Sequence, residues 1–172
     1  MNSKYETFDR TRPEIGAICI GIAQRALDEA TKYALERQQF GQPIANFQAI
    51  QFMLADMATE IDAARLLAWR AAWLKDQGVR HSAESAMAKL YASEMCERVT
   101  SKAIQVHGGL GVSDDTILSF FYRMERGSRI YDGADEVRRQ HPREEDGERR
   151  GQAQARPPVE LFLALLEQLD PA

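Results

Sequence analysis

From Ile15 to Val106, apolar residues return every third or fourth position, and no stretch alternates polar with apolar. That spacing marks helices with one buried face, and a chain dominated by it must pack helix on helix. Ile15, Cys19, Ile22, Ala26, Ala30 and Tyr33 form the first stripe, which runs to about Gln38. Ile50, Leu54, Met57, Ile61, Ala64, Ala68 and Ala71 form the second, to about Asp76, and Leu66, Trp69 and Trp73 widen it toward further neighbours. Ala88, Ala92, Cys96, Val99, Ala103 and Val106 form the third, beginning near Ser82 as its cap. TILSFFYRMER predicts a shorter fourth helix capped by Asp114 or Asp115, and ADEVRRQ a fifth that stops at Pro142. The expected fold is all-α: an antiparallel four-helix bundle with a short fifth helix and a charged tail.

The ends differ from the middle. Residues 1–11 read as a polar lead-in, with Thr11 capping a helix that has Pro13 in its first turn. The bundle then occupies 12–139. Residues 140–158 carry many charges and no periodicity, as a disordered tail does. Residues 159–169 read as a short amphipathic helix. Inside the first helix Gly16 and Gly21 each cost about 1 kcal/mol against Ala, which predicts close approach of a backbone or a ligand.

Composition narrows the partners. With 28% charged residues and a net charge of −4, the chain lacks the basic surface of a nonspecific nucleic-acid binder. No apolar run reaches the ~18 residues of a membrane span and no signal peptide is visible, so the expected compartment is cytoplasmic, or the mitochondrial matrix in a eukaryote. Cys19 and Cys96 read as buried thiols rather than a disulfide. His107 has no partners in the pattern, and no metal site is expected.

Three non-helical stretches carry chemistry. RQQFGQPIANFQ, residues 37–48, sets an arginine, amides and two aromatics at a bundle corner, and a guanidinium fork suits a phosphate. QVHGGLG has three glycines in four positions, which lets backbone come close to something. GSRIYDG ends in an acid beside a glycine. Each loop alone is explained by tight turning. Taken together they favour a phosphate- and amide-rich ligand such as a dinucleotide, and an up-down bundle puts the first two loops at one end.

The succession FDRTRP, AQRALDEATKYALERQQFGQPIANFQ, AIQVHGGLG and RIYDG resembles the C-terminal helical domain of the flavin-dependent acyl-CoA dehydrogenases, over about three-quarters of the chain from Phe8 to Arg138. The resemblance implies a helical bundle that helps form a homo-oligomer, a dimer or tetramer, with FAD lying between subunits. It implies that Arg37 grips the FAD pyrophosphate with Phe40 beside it, that Phe47 and Gln48 meet the flavin, and that Gln105, Gly108 and Gly109 form a cofactor loop. Asp9, Arg12 and Gly133 would meet the acyl-CoA, and Arg80 would either sit near its nucleotide end or be a solvated turn arginine. Asp132 stands where many members carry a catalytic glutamate. It would serve as base despite being shorter by one C–C bond, about 1.5 Å, or else cap the following turn.

Departures from the family pattern are also visible. Ala134 replaces an expected threonine, and Asp135 and Glu136 put two acids where the family tends to place neutral residues near its cofactor. The charged tail stands in place of the family's closing helix. Family members are longer, with two further domains, and an electron-acceptor flavoprotein is an expected partner. The function implied is α,β-dehydrogenation of an acyl-CoA by the complete enzyme, with the isolated chain inactive. The alternative is a helical oligomerisation module that has lost catalysis.

Overall fold

The three apolar stripes fold as three long helices. The structure, a computed structural model, describes residues 3–137 and 139, with backbone alone for residues 3–10. α1 spans Ser3–Glu36, α2 Gln48–Asp76 and α3 Ser82–His107. A single turn, α4 (Gly109–Val112), and a shorter helix, α5 (Ile117–Glu125), follow. Residues 135–137 and 139 are again helical, inside the segment expected as the fifth helix. The all-α bundle read from the periodicity is the observed architecture. The charged tail and the amphipathic helix expected beyond it lie outside the described residues.

Small side chains let α1 and α3 approach closely. Cys19, Ala23, Ala26, Ala30 and Ala34 on α1 face the core, as do Ala92, Cys96, Val99 and Ala103 on α3. Met57 and Ile61 of α2, Met95 of α3 and Leu118 of α5 supply the bulk, all at most 1% exposed. Each such large side chain contributes about 1.5–3 kcal/mol through burial. Gly16 belongs to the same seam: a Cβ there would stand 3.6 Å from the Ala88 carbonyl oxygen. Gly21 does not, since nothing among the described residues comes within 4 Å of a Cβ built on it. Trp69 and Trp73, which widen the stripe of α2, are 62% and 48% exposed.

Several helix ends differ from the sequence reading. α1 starts at Ser3 and carries Pro13 inside it, where the missing N–H forfeits one helical bond. Thr11 is not a cap; its hydroxyl donates to Asp132 instead. Ser82 is the first helical residue of α3, one past the cap position at His81. Neither Asp114 nor Asp115 caps α5; Thr116 holds that position, and Asp114 accepts from Ser119 and Arg123. That pairing with Arg123 holds the Asp114 carboxyl below its usual range.

The connections are tight. At the first corner Gln38–Gln39 pairs antiparallel with Gln42–Pro43, a ladder too short to leave any alternation in the sequence. Its two-residue tip, Phe40 at φ 51° and Gly41 at φ 78°, has both residues left-handed, as a type I′ hairpin requires. At the second, Gly78 (φ 67°) ends α2, with its N–H on Lys75 and that of Val79 on Leu74, a Schellman closure. α2 therefore runs against α1, and α3 runs parallel to α1. Among the described residues no helix is long and apolar enough to cross a membrane.

Candidate functional site

The topology sorts the candidate residues to two opposite ends of the bundle. Thr11 and Glu36 are 25 residues apart on α1, or about 37 Å at about 1.5 Å per residue. The corner after α1 and the glycine loop after α3 share one end. Tyr33, one turn before Arg37, stacks on His107 with ring centroids 4.3 Å apart and planes 19° apart. His107 is buried, with Nδ1 2.9 Å from the Ala103 carbonyl. The histidine thus joins the two loops, a role its lone place in the sequence did not disclose.

At this end the chemistry faces outward. Arg37 has its N–H on the Tyr33 carbonyl and its own carbonyl on the Ile44 N–H, both at 2.8 Å, while its side chain is exposed. Phe40 is 92% exposed. A bulky residue held at positive φ at a hairpin tip is a strained placement, and such strain gathers at ligand sites. Its ring meets Phe47 edge-on, 6.1 Å between centroids. Gln48 opens α2 and Gln105 lies in the last turn of α3, both exposed. Gly108 (φ 62°) and Gly109 are exposed, and a Cβ on either would meet nothing within 4 Å among the described residues. Their missing side chains leave open space, whereas Gly111 is packed against α3.

The other end gathers Arg12, Arg80, Asp132 and Gly133. Arg12 is buried at 3% exposure, and Arg80 is exposed in the turn between α2 and α3. Asp9 lies on α1 among residues described by backbone alone. Asp132 is half-buried and left-handed (φ 55°), followed by Gly133 at φ 98°. The Thr11 hydroxyl donates to its carboxylate, with oxygens at 2.9 and 3.1 Å. The carboxylate therefore points at α1.

Behind this loop lies a buried ion cluster. Lys89, from the second turn of α3, is the largest fully buried side chain among the described residues. Its ammonium donates to the Gly133 carbonyl at 3.0 Å and to Asp135 Oδ1 at 3.3 Å. Ser93 Oγ also donates to Oδ1, at 3.4 Å, and Arg129 Nε to Oδ2 at 2.6 Å. Arg129 reaches on to Glu97, and Asp135 with Glu97 raises its pKa above the ordinary arginine value. Asp135, read from sequence as an acid facing a cofactor, is 1% exposed and neutralised from within. The reading failed because its partners come from α3 and from Arg129, which no local pattern links to it. A lysine between Ala88 and Ala92, on a stripe of small residues, was the available signal.

Between the two ends a second polar cluster is buried. Glu125 is 1% exposed, and among the described residues neither of its carboxylate oxygens has a hydrogen-bond partner. Burial, reinforced by the nearby Cys19 and Glu97, pushes its pKa up to about 7. Cys19 and Cys96 are free thiols, buried as expected. A hydrogen bond from Cys96 lowers Cys19 to about 7, and that bond with burial raises Cys96. Among the described residues no group of His, Cys, Asp or Glu is arranged to hold a metal.

The motifs, their order and the two ends on which they fall can be set beside known proteins. The profile of the acyl-CoA dehydrogenase C-terminal domain matches residues 1–144. The chain belongs to the acyl-CoA dehydrogenase family. It is 48% identical over 137 residues to the caffeyl-CoA reductase-Etf complex subunit CarC of Acetobacterium woodii, covering 80% of this chain and 36% of that protein. Against the mitochondrial short-chain specific acyl-CoA dehydrogenase of Rattus norvegicus it is 46% identical over 134 residues, 78% of this chain and 32% of the other. The fold superposes on butyryl-CoA dehydrogenase from Megasphaera elsdenii with a TM-score of 0.79 at 38% identity, covering 80% of this chain and 36% of that one. The chain thus spans about a third of the length of the curated relatives it matches.

Proposed function

We propose that this domain serves an FAD-dependent acyl-CoA dehydrogenase, with Asp132 as the base that takes the α-proton of an acyl-CoA thioester. The observation that carries the reading is Asp132 itself: a half-buried carboxylate on a strained left-handed turn, aimed by Thr11. A thioester carbonyl acidifies the neighbouring C–H, and a carboxylate positioned at that carbon takes its proton as a general base. Arg12 and Gly133 lie at the same end as Asp132, and we assign them with Asp9 to the acyl-CoA and Arg80 to its nucleotide portion.

The opposite end fits the cofactor. Arg37 offers an exposed guanidinium for the pyrophosphate, Gln48 and Gln105 offer exposed amides, and Gly108 and Gly109 leave open space at the loop. Phe40 and Phe47 supply an apolar wall. Bound FAD supplies a hydride acceptor for the β-carbon. The two ends lie about 37 Å apart, so one domain serves two different sites. We infer that Arg37 and Gln105 hold the FAD of a neighbouring copy while Asp132 acts in its own, which makes the protein a homo-oligomer, a dimer or tetramer. Electrons then pass to an acceptor flavoprotein.

The test uses the complete enzyme. Asp132→Asn keeps the shape and removes the basicity, so flavin reduction by acyl-CoA should fall at least ~10²-fold while acyl-CoA affinity changes little. Reduction within a few-fold of wild type would remove Asp132 from the mechanism and place the base on another segment.

A further inference from the structure

We propose that Lys89 is a positioning residue for Asp132, its buried ammonium clamping the Gly133 carbonyl and the Asp135 carboxylate together to fix the turn that aims the base. The proposal rests on the reading of Asp132 as that base. It starts from an unusual fact: a fully buried lysine in a core built of alanines. A buried ammonium must fill its donors, and Lys89 fills two of them with groups that straddle residue 134. The ion therefore ties the end of the loop, at Gly133, to the first helical residue after it, Asp135.

Stability alone does not account for the arrangement. Replacing a buried ion pair by well-packed apolar side chains is often neutral or stabilising, so such a pair is weak evidence for a stabilising role. Its geometry is more informative. Asp132 and Gly133 are consecutive left-handed residues, at φ 55° and 98°. Aspartate is among the few residues with a Cβ that tolerate that conformation, so neighbouring contacts decide whether the turn keeps it. Here the contacts come from two sides. Thr11 of α1 holds the carboxylate, while Lys89 of α3 holds the next carbonyl along the chain. Asp135 keeps Lys89 in place and is itself held by Ser93 and Arg129. Displacing a reacting group by about 1 Å can cost roughly 10²-fold in rate, so fixing the turn sets how well the carboxylate meets its proton.

The experiment separates positioning from folding. Lys89→Met alone leaves Asp135 with one cationic partner fewer and can unfold the loop's surroundings for that reason. The double variant Lys89→Met/Asp135→Asn removes both charges at near-constant size. In the isotope-labelled chain the double variant should melt close to wild type, yet the Cα shift of Asp132 should leave its left-handed value and the heteronuclear NOE at Asp132 and Gly133 should fall. In the complete enzyme its flavin reduction should slow by roughly 10- to 100-fold, with KM for acyl-CoA nearly unchanged. Unaltered Asp132 and Gly133 shifts and NOEs in the double variant would overturn the proposal. The NMR readout needs no catalysis, so it stands apart from the Asp132→Asn result: if that variant keeps its rate, the base assignment fails on its own.

Discussion

Gly111→Ala should destabilise the domain by about 2 kcal/mol. The new methyl would stand 2.7 Å from the Ile104 carbonyl oxygen and 2.9 Å from both the Ile104 Cα and the His107 Cβ. Carbon contacts settle at about 3.5–4.0 Å, and two of these three neighbours are backbone atoms of α3, which cannot rotate aside. Overpacking of this kind costs about 1–3 kcal/mol, and rigid neighbours put the site near the upper figure. Ala recovers up to about 1 kcal/mol over Gly in helical backbone, leaving a net loss of about 2. For a chain of this size that is a fall in melting temperature of roughly 4–8 °C. Gly21→Ala is the internal control, because a Cβ there meets nothing within 4 Å among the described residues. It should gain up to about 1 kcal/mol from propensity alone. Urea unfolding followed by circular dichroism gives both values. A Gly111→Ala midpoint at or above wild type would refute the steric argument.

Glu125 should make stability fall as pH rises. Its folded pKa of about 7 exceeds its ordinary value of 4.5, so the folded state holds a proton that the unfolded state has lost, and the contribution present below 4.5 is gone above about 7. Glu125→Gln should flatten the decline in urea midpoint across that window; an unchanged slope would assign it to other groups. Trp69 and Trp73, exposed together on α2, should drive self-association that weakens in Trp69→Ser/Trp73→Ser, as read by sedimentation velocity. A monomer at tens of micromolar, a concentration on the order of weak-dimer affinities, would count against the oligomer. The isolated chain should bind FAD no tighter than roughly 10–100 μM, and Arg37→Ala should weaken it further in a fluorescence titration; a yellow, flavin-saturated preparation would contradict that reading.

The helices were legible because their stripes repeat over many turns, so Met57, Ile61, Ala64 and every inward residue read on α3 are buried as their spacing demands. Residues that act across the fold were not. Thr11 looked like a cap because its neighbour is Pro13, yet its hydroxyl serves Asp132, 121 positions away. Lys89 and Asp135 are 46 apart, and nothing local announces their pairing. Phe40 shows the reverse: its place in the corner between two stripes is legible, but only the backbone reveals that the phenylalanine itself is left-handed.

The seam between α1 and α3 also bears on how the chain becomes ordered during synthesis. Cys19, Ala23, Ala26, Ala30 and Ala34 find their partners on a helix that ends at His107. Alanines offer little surface for a provisional collapse, and an isolated helix is marginal in water. Contacts of such sequence separation are slow to form. A ribosome that has released only α1 and α2 has therefore released half a zipper, and the domain locks when the teeth of α3 emerge.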